Sequence, residues 1–293
     1  MAELHAAARV VVISPSTRRR PTLGRVRGAL PIGVGMLTVL VLAAALAPWL
    51  TGHDPAALDP ASSLLPPSSD HPFGTNQFGQ DNFARTLYAA RVDLLIGVVL
   101  VGVALCIGTV VGVLAGWFGG WVDAVVSRVV DVGLAFPFLV LVIGMVGLRG
   151  PGLESLFIAV SLVAWIFYVR IVRSEVLVVK NQNYVNAARV SGLSTGRVLL
   201  RHVLPNVAGQ VLVYATSDFV YAVLLGASVS YLGLGVQPPT AEWGAMVQSG
   251  QNFVTSQWWI SFFPGLAIVY TGITFALIGD GLADWLRRGR VEA

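Results

Sequence analysis

Six stretches of roughly 20 residues, the length a helix needs to cross about 30 Å of hydrocarbon, carry few or no charges. They run over 30–50, 94–118, 129–148, 153–172, 207–234 and 258–278. No water-soluble fold accommodates so many such runs in one chain. The runs lack period-2 alternation and are too long for barrel staves, so helices are the expected elements. Over the 293 residues only 12% are charged and 55% are apolar. A soluble domain carries roughly twice that charged fraction, about 25%, so a secreted enzyme, a disordered chain and a coiled coil are excluded. The sequence predicts an all-α membrane protein of six transmembrane helices.

The few charges give an orientation. Every basic residue but Lys180 is arginine. Arg9, Arg18, Arg19, Arg20, Arg25 and Arg27 precede the first run, Arg170 lies at the end of the fourth, and Arg173, Lys180, Arg189, Arg197 and Arg201 follow it. Arg287, Arg288 and Arg290 follow the sixth. In a six-span chain these all fall on one side, against Arg85, Arg91 and Arg149 on the other, with Arg128 in or near the third run. Excess Arg and Lys marks the cytoplasmic face, so both termini are expected there. Nucleic acid is not an expected partner, because the arginines occupy gaps between spans rather than a folded basic face. Trp49, Trp117, Trp121, Trp258, Trp259 and Trp285 lie near run ends, as a membrane-interface belt would. The first run resembles a secretory leader ending at Ala45-Leu46-Ala47, but it exceeds the usual apolar core of such leaders and is read as a retained span.

Two segments between the runs stand out. The first, 51–91, holds Asp54, Pro55, Asp59, Pro60, Pro66, Pro67, Asp70 and Pro72 and is expected to form a small external lobe rather than a helix. The second, 174–206, is expected to display two short amphipathic helices on the inner face. Asn183 would cap the first, Gly192 would stop it in a left-handed conformation, and Ser194 would cap a second that Pro205 ends. Residues 1–29 and 286–293 are read as cytoplasmic tails, and 92–285 as the core, with an external loop at 235–257.

Catalytic chemistry is missing from the sequence. Lys180 has no preceding glycine run, so there is no phosphate-binding loop, and none of His5, His53, His71 and His202 lies within a run. One cysteine, Cys106, forms no internal disulfide. No metal site or directly bound cofactor is expected, and the chain is not read as an enzyme. Polar groups do decorate the fifth run: Tyr214, Ser217, Asp218, Tyr221 and Ser228 recur at near-helical spacing and are candidates to line a passage. Asp218 could equally make an interhelical hydrogen bond. Arg128 and Asp131, three apart, can pair on one helix face. Gly108, Gly112, Gly116 and Gly120 recur every fourth position and allow close helix packing, in this chain or with another.

Three blocks carry a resemblance. They are Phe73-Gly74-Thr75-Asn76-Gln77-Phe78-Gly79-Gln80-Asp81 with Arg85 and Arg91; Tyr184-Val185-Asn186-Ala187-Ala188-Arg189 with Gly192 and Arg201-His202-Val203-Leu204-Pro205-Asn206; and Ser230-Tyr231-Leu232-Gly233-Leu234-Gly235-Val236-Gln237-Pro238-Pro239 with Trp243-Gly244-Ala245-Met246. In this order on a six-span frame they resemble the permease subunits of binding-protein-dependent ABC importers, of the DppC/OppC type found in dipeptide, oligopeptide and nickel systems. Asn76, Gln80 and Asn186 stand where the family pattern has Asp, Arg and an acid, and Gly226 lies near where many relatives carry one.

The resemblance implies a type I ABC importer permease fold in a bacterial inner membrane. It implies four kinds of contact: a second homologous permease, two ATP-binding subunits or domains, an extracytoplasmic substrate-binding protein, and lipid. ATP and Mg would be used by the partners. Tyr184, Asn186, Ala187, Ala188, Arg189, Gly192, Arg201, His202 and Pro205 would dock on the ATPase. Gln237, Pro238, Glu242 and Trp243 would face the binding protein. Di- or oligopeptides are the expected cargo, with nickel, glutathione or haem as alternatives. An ion-gradient transporter using Asp218 is the rival of a different class.

Overall fold

A computed structural model of the chain describes residues 28–291, with side chains through Arg287. The tail arginines from Arg9 to Arg27 and the side chains of Arg288 and Arg290 lie outside the described residues. The helices are α1 (Ala29–Leu50), α2 (Asn82–Phe118), α3 (Gly120–Leu134), α4 (Phe138–Arg149), α5 (Leu153–Val179), α6 (Asn183–Val190), α7 (Thr195–Val198), α8 (Leu204–Tyr231), α9 (Trp243–Ser249) and α10 (Trp259–Val291). Among the described residues there are no strands beyond an isolated bridge between Thr75 and Asp81. Five helical stretches are long and apolar enough to cross a membrane, and α3 with α4 makes a sixth only as a bent pair. The chain is an all-α, multi-pass membrane protein.

The bend corrects the third expected span. The run 129–148 is not one straight helix: α3 and α4 meet at 82°. Pro137 sits at the break, where its ring and missing N–H exclude a continuous ladder. The pairing expected of Arg128 with Asp131 does not form either; both are exposed. Instead Asp123 of α3 receives a forked ion pair from Arg173 of α5, with Nε on Oδ1 and Nη2 on Oδ2 at 2.7 Å. That two-pronged geometry is the strong form of the carboxylate–guanidinium contact.

The structural spine is α2 against α5. At 1.5 Å per residue α2 is about 55 Å long, well beyond the apolar thickness of a bilayer. A Cβ on Gly108, Gly112 or Gly116 would collide with Tyr168, Val172 or Val176 and with the α5 backbone. The small-residue stripe therefore serves a neighbour in the same chain. Gly120 does not belong to it, because α2 ends at Phe118. The lone lysine completes this seam, its Nζ donating to the Gly116 carbonyl at 2.7 Å, one of the last acceptors of α2 that the helix itself leaves open.

α1 packs along α10, and Tyr270 Oη donates to the Met36 carbonyl at 3.0 Å. Pro48 inside α1 cannot donate to the Ala44 carbonyl four residues back. Arg91 supplies what is missing: its Nε donates to Ala44 O at 2.7 Å and its Nη2 to Ala45 O at 3.1 Å.

Segment 51–81 is an ordered lobe without long helices, and α2 takes over at Asn82, earlier than the expected boundary at 91. Asp81 caps α2 through the Ala84 N–H at 2.6 Å, and its other oxygen lies 2.8 Å from His71 Nδ1. Gly79, at φ +72°, has no room for a side chain, since a Cβ there would overlap the Asp59 carbonyl. Trp259 Nε1 donates to Thr75 O and ties the lobe to α10. Thus Trp259 is buried inside the protein and Trp117 is half-buried under Arg189 of α6, whereas Trp49, Trp121, Trp258 and Trp285 remain exposed at helix ends as an interface belt would be.

Candidate functional site

At the end of α2 remote from the lobe, α6 and α7 form an angled pair. The joint is a Schellman turn: Leu193 N–H reaches Ala188 O at 3.2 Å and Gly192 N–H reaches Arg189 O at 3.0 Å, with Gly192 at φ +81°. Gln182, not Asn183, occupies the position before α6, and neither it nor Ser194 makes a side-chain cap. Nor does Pro205 end the second helix. A π-helical stretch, Leu199–Val203, joins α7 to α8, and Leu204 N–H bonds to Leu199 O five residues back. The widened turn lets the helix pass through Pro205 as part of the first turn of α8.

Val185 and Ala188 turn inward, so Ala188 holds the element to its own chain and is not part of a contact surface. Tyr184, Asn186, Ala187, Arg189, Gly192, Arg201 and Pro205 are exposed, and His202 is half-buried. Val190, 89% exposed, and Leu200 are apolar knobs on this surface that the sequence reading missed. Arg189 stacks on Trp117, its guanidinium carbon 4.1 Å from the ring centroid. Together with Lys180 on Gly116, this fixes α6 to the end of the α2–α5 spine.

Along α8 the polar stripe is real. Ser217, Tyr221 and Ser228 are exposed on one face, and Tyr214 and Asp218 lie half-buried at its edge. Asp218 Oδ2 accepts from Tyr168 Oη of α5 at 2.8 Å, and the Tyr168 and Tyr214 rings meet edge-on at 5.0 Å. Asp218 therefore has the interhelical hydrogen bond while remaining open on one side. Ser228 Oγ donates back to the Leu224 carbonyl of its own helix.

The expected docking loop divides. Gln237 and Pro238 are exposed, but Glu242 and Trp243 are fully buried and cannot face a partner. Glu242 caps α9, accepting from Gly244 N–H at 2.8 Å and Ala245 N–H at 2.7 Å. Burial pushes its carboxyl above the ordinary range while those backbone donors pull it down. Trp243 N–H donates to Asp93 Oδ2 at 3.1 Å and its indole Nε1 to Thr86 O at 3.0 Å. A Cβ on Gly244 would strike the Ala227 backbone, so α9 lies directly on α8. Asp93 was missed because it borders an apolar run, where an acid reads as a span edge.

Two departures from the family pattern gain a physical account. Asn76 Nδ2 donates to Gln80 Oε1 at 2.9 Å, an amide pair where Asp and Arg would form an ion pair. Gly226 is buried against Ile96, which even a Cβ would press at 2.9 Å, so no acid fits there. His53, His71 and Asp81 come within 4.8 Å of one another. Both Asp81 oxygens are already engaged there, and His53 Nδ1 lies 3.0 Å from Thr51 O, so these groups knit the lobe.

A bent, multi-span helical bundle with a short helix, α9, hydrogen-bonded to α2 at one end and a displayed helix pair at the other has the form of a membrane permease. The chain belongs to the family of binding-protein-dependent transport system inner membrane components, whose model matches residues 108–291. It is 41% identical to the probable D,D-dipeptide transport system permease protein DdpC of Escherichia coli K12, over 86% of this chain and 84% of that protein. It is 37% identical to the dipeptide transport system permease protein DppC of Bacillus subtilis 168, over 87% of this chain and 80% of that one. With the oligopeptide transport system permease protein OppC of the same strain it shares 38% identity over 87% and 84%.

Proposed function

We propose that this chain forms half of the translocation pathway of an ATP-driven, binding-protein-dependent importer of di- or oligopeptides. The observation that carries this reading is the α6–α7 pair: an exposed helical joint locked to the spine by Arg189–Trp117 and Lys180–Gly116. A chain without a phosphate-binding loop receives work through a contact, and this element is shaped to receive it. A second homologous permease completes the pathway, two ATP-binding subunits or domains use ATP and Mg, and an extracytoplasmic binding protein delivers the cargo. In this assembly α6 and both termini are cytoplasmic and the 51–81 lobe is outside. Peptide cargo is supported by the names of the relatives. The hydrogen bond from Tyr168 gives Asp218 a structural duty, which weighs against an ion-coupling role.

ATP closure would move α6 and, through the spine, rock the packed helices between two access states. The exposed face of α8 would then meet water in one of them. In a Cys106→Ser background of the assembled complex, cysteines at Ser217, Tyr221 and Ser228 are expected to react with a water-soluble thiol reagent in at least one nucleotide state. Failure of all three in every state would overturn the assignment of this face to the passage.

A further inference from the structure

Between the 51–81 lobe and the loop leading into α9 lies a cleft of about 690 Å³, within the roughly 300–1,000 Å³ typical of small-molecule sites. Arg85, from the first turn of α2, lines it. Its side chain is largely buried, and among the described residues its one hydrogen bond runs from Nη1 to the Pro55 carbonyl at 2.8 Å. Among the described residues no carboxylate lies within 4 Å of it. Acids on the neighbouring segments are committed elsewhere: Asp54, beside Pro55, to the Ala56 N–H, Asp81 to Ala84 and His71, and Glu242 to Gly244 and Ala245. Where the family pattern has Asp and Arg, this cleft has the neutral amide pair Asn76 and Gln80. A mostly desolvated guanidinium with four uncommitted N–H donors and no internal counter-charge is an incomplete ion pair.

The rest of the lining is rich in amides. Gln77, Gln237 and Gln248 join Asn76 and Gln80 around the cleft. Gln77 Oε1 is buried with no hydrogen-bond partner, an acceptor awaiting a donor. Side-chain amides pair with peptide groups, and a guanidinium fork matches a carboxylate.

We propose that this cleft is an extracytoplasmic subsite for a short peptide, with Arg85 binding its terminal carboxylate and the amide side chains binding its backbone. The nature of the ligand rests on the peptide-importer reading. A carboxylate from an acidic side chain of a docked protein has the same chemistry, but it would fill only a fraction of the cleft and leave the amides unused.

The test measures binding without transport, so its outcome is separable from that of the importer reading. The full chain, carrying Cys106→Ser and Ser249→Cys, is placed in nanodiscs, and protection of the cysteine from a thiol reagent is titrated with tri-alanine and with tri-alanine amide. The free carboxylate is expected to protect at about tenfold lower concentration. Arg85→Gln is expected to remove that preference and Arg85→Lys to keep part of it. Equal protection by the two peptides, or none, overturns the proposal, and this comparison needs no folded Arg85 variant. Protection by a purified binding protein but not by tri-alanine also overturns it. A preference for the carboxylate that survives Arg85→Gln in a protein of unchanged elution profile assigns the anchor elsewhere and overturns the role of Arg85.

Discussion

Replacement of Gly192 by valine is expected to lower ATP-driven peptide uptake about tenfold or more, at an unfavourable backbone conformation costing roughly 1–2 kcal/mol, while leaving the complex assembled. Gly192 sits at φ +81° and a Cβ there meets nothing within 4 Å. The defect is therefore conformational and local. A β-branched residue resists the left-handed region, and the Schellman bonds from Gly192 to Arg189 and from Leu193 to Ala188 would open. The angle between α6 and α7 would change, and with it the surface that Tyr184, Asn186, Ala187 and Val190 present. Arg189 on Trp117 would still hold α6 to the spine, so assembly survives while the stroke is lost. Gly192→Asn, which tolerates the left-handed region, should retain most uptake. The readouts are labelled-peptide uptake in proteoliposomes and co-elution of the subunits. Valine uptake equal to that of the parent protein would show that the joint does not transmit work.

The second large effect concerns stability. Trp243→Ala should cost about 3–5 kcal/mol, the usual range for removing a buried aromatic side chain. Trp243 is fully buried, and its indole and backbone N–H bind Thr86 and Asp93 across more than half the chain. Removing it leaves a void between α2 and α8 and releases α9. Trp243→Phe should keep much of the packing and lose the Thr86 bond, worth about 1 kcal/mol. Thermal unfolding followed by circular dichroism in detergent orders the parent, phenylalanine and alanine proteins. An alanine variant as stable as the parent would contradict the anchoring role and return Trp243 to a surface function.

Much of this architecture was legible from local chemistry. Uncharged runs located the spans, the stripe of Gly108, Gly112 and Gly116 announced a close helix contact, and Gly192 marked the joint of the displayed pair. What escaped has identifiable reasons. Hydropathy is continuous across Pro137, so the run gave a span where the backbone gives a break. Pro205 read as a stop because a π-helical turn that absorbs a proline has no simple sequence signature. Glu242 and Trp243 looked like docking groups because polar and aromatic residues in a loop invite that reading. Their burial depends on Asp93, about 150 residues away, and pairings at that separation leave no periodic trace. Arg85 could be read as a topology marker, while its lack of a counter-charge emerged only once the lobe closed over it.

The central claim is that this chain takes its energy from a partner through the α6–α7 joint. The most direct test is uptake of a labelled dipeptide by proteoliposomes containing this chain, its homologous permease, the ATP-binding subunits and an external binding protein. Uptake should require ATP, the ATP-binding subunits and the binding protein, and should persist when ionophores collapse ion gradients. Uptake by vesicles lacking the ATP-binding subunits, driven by an ion gradient and abolished by ionophores, would contradict it.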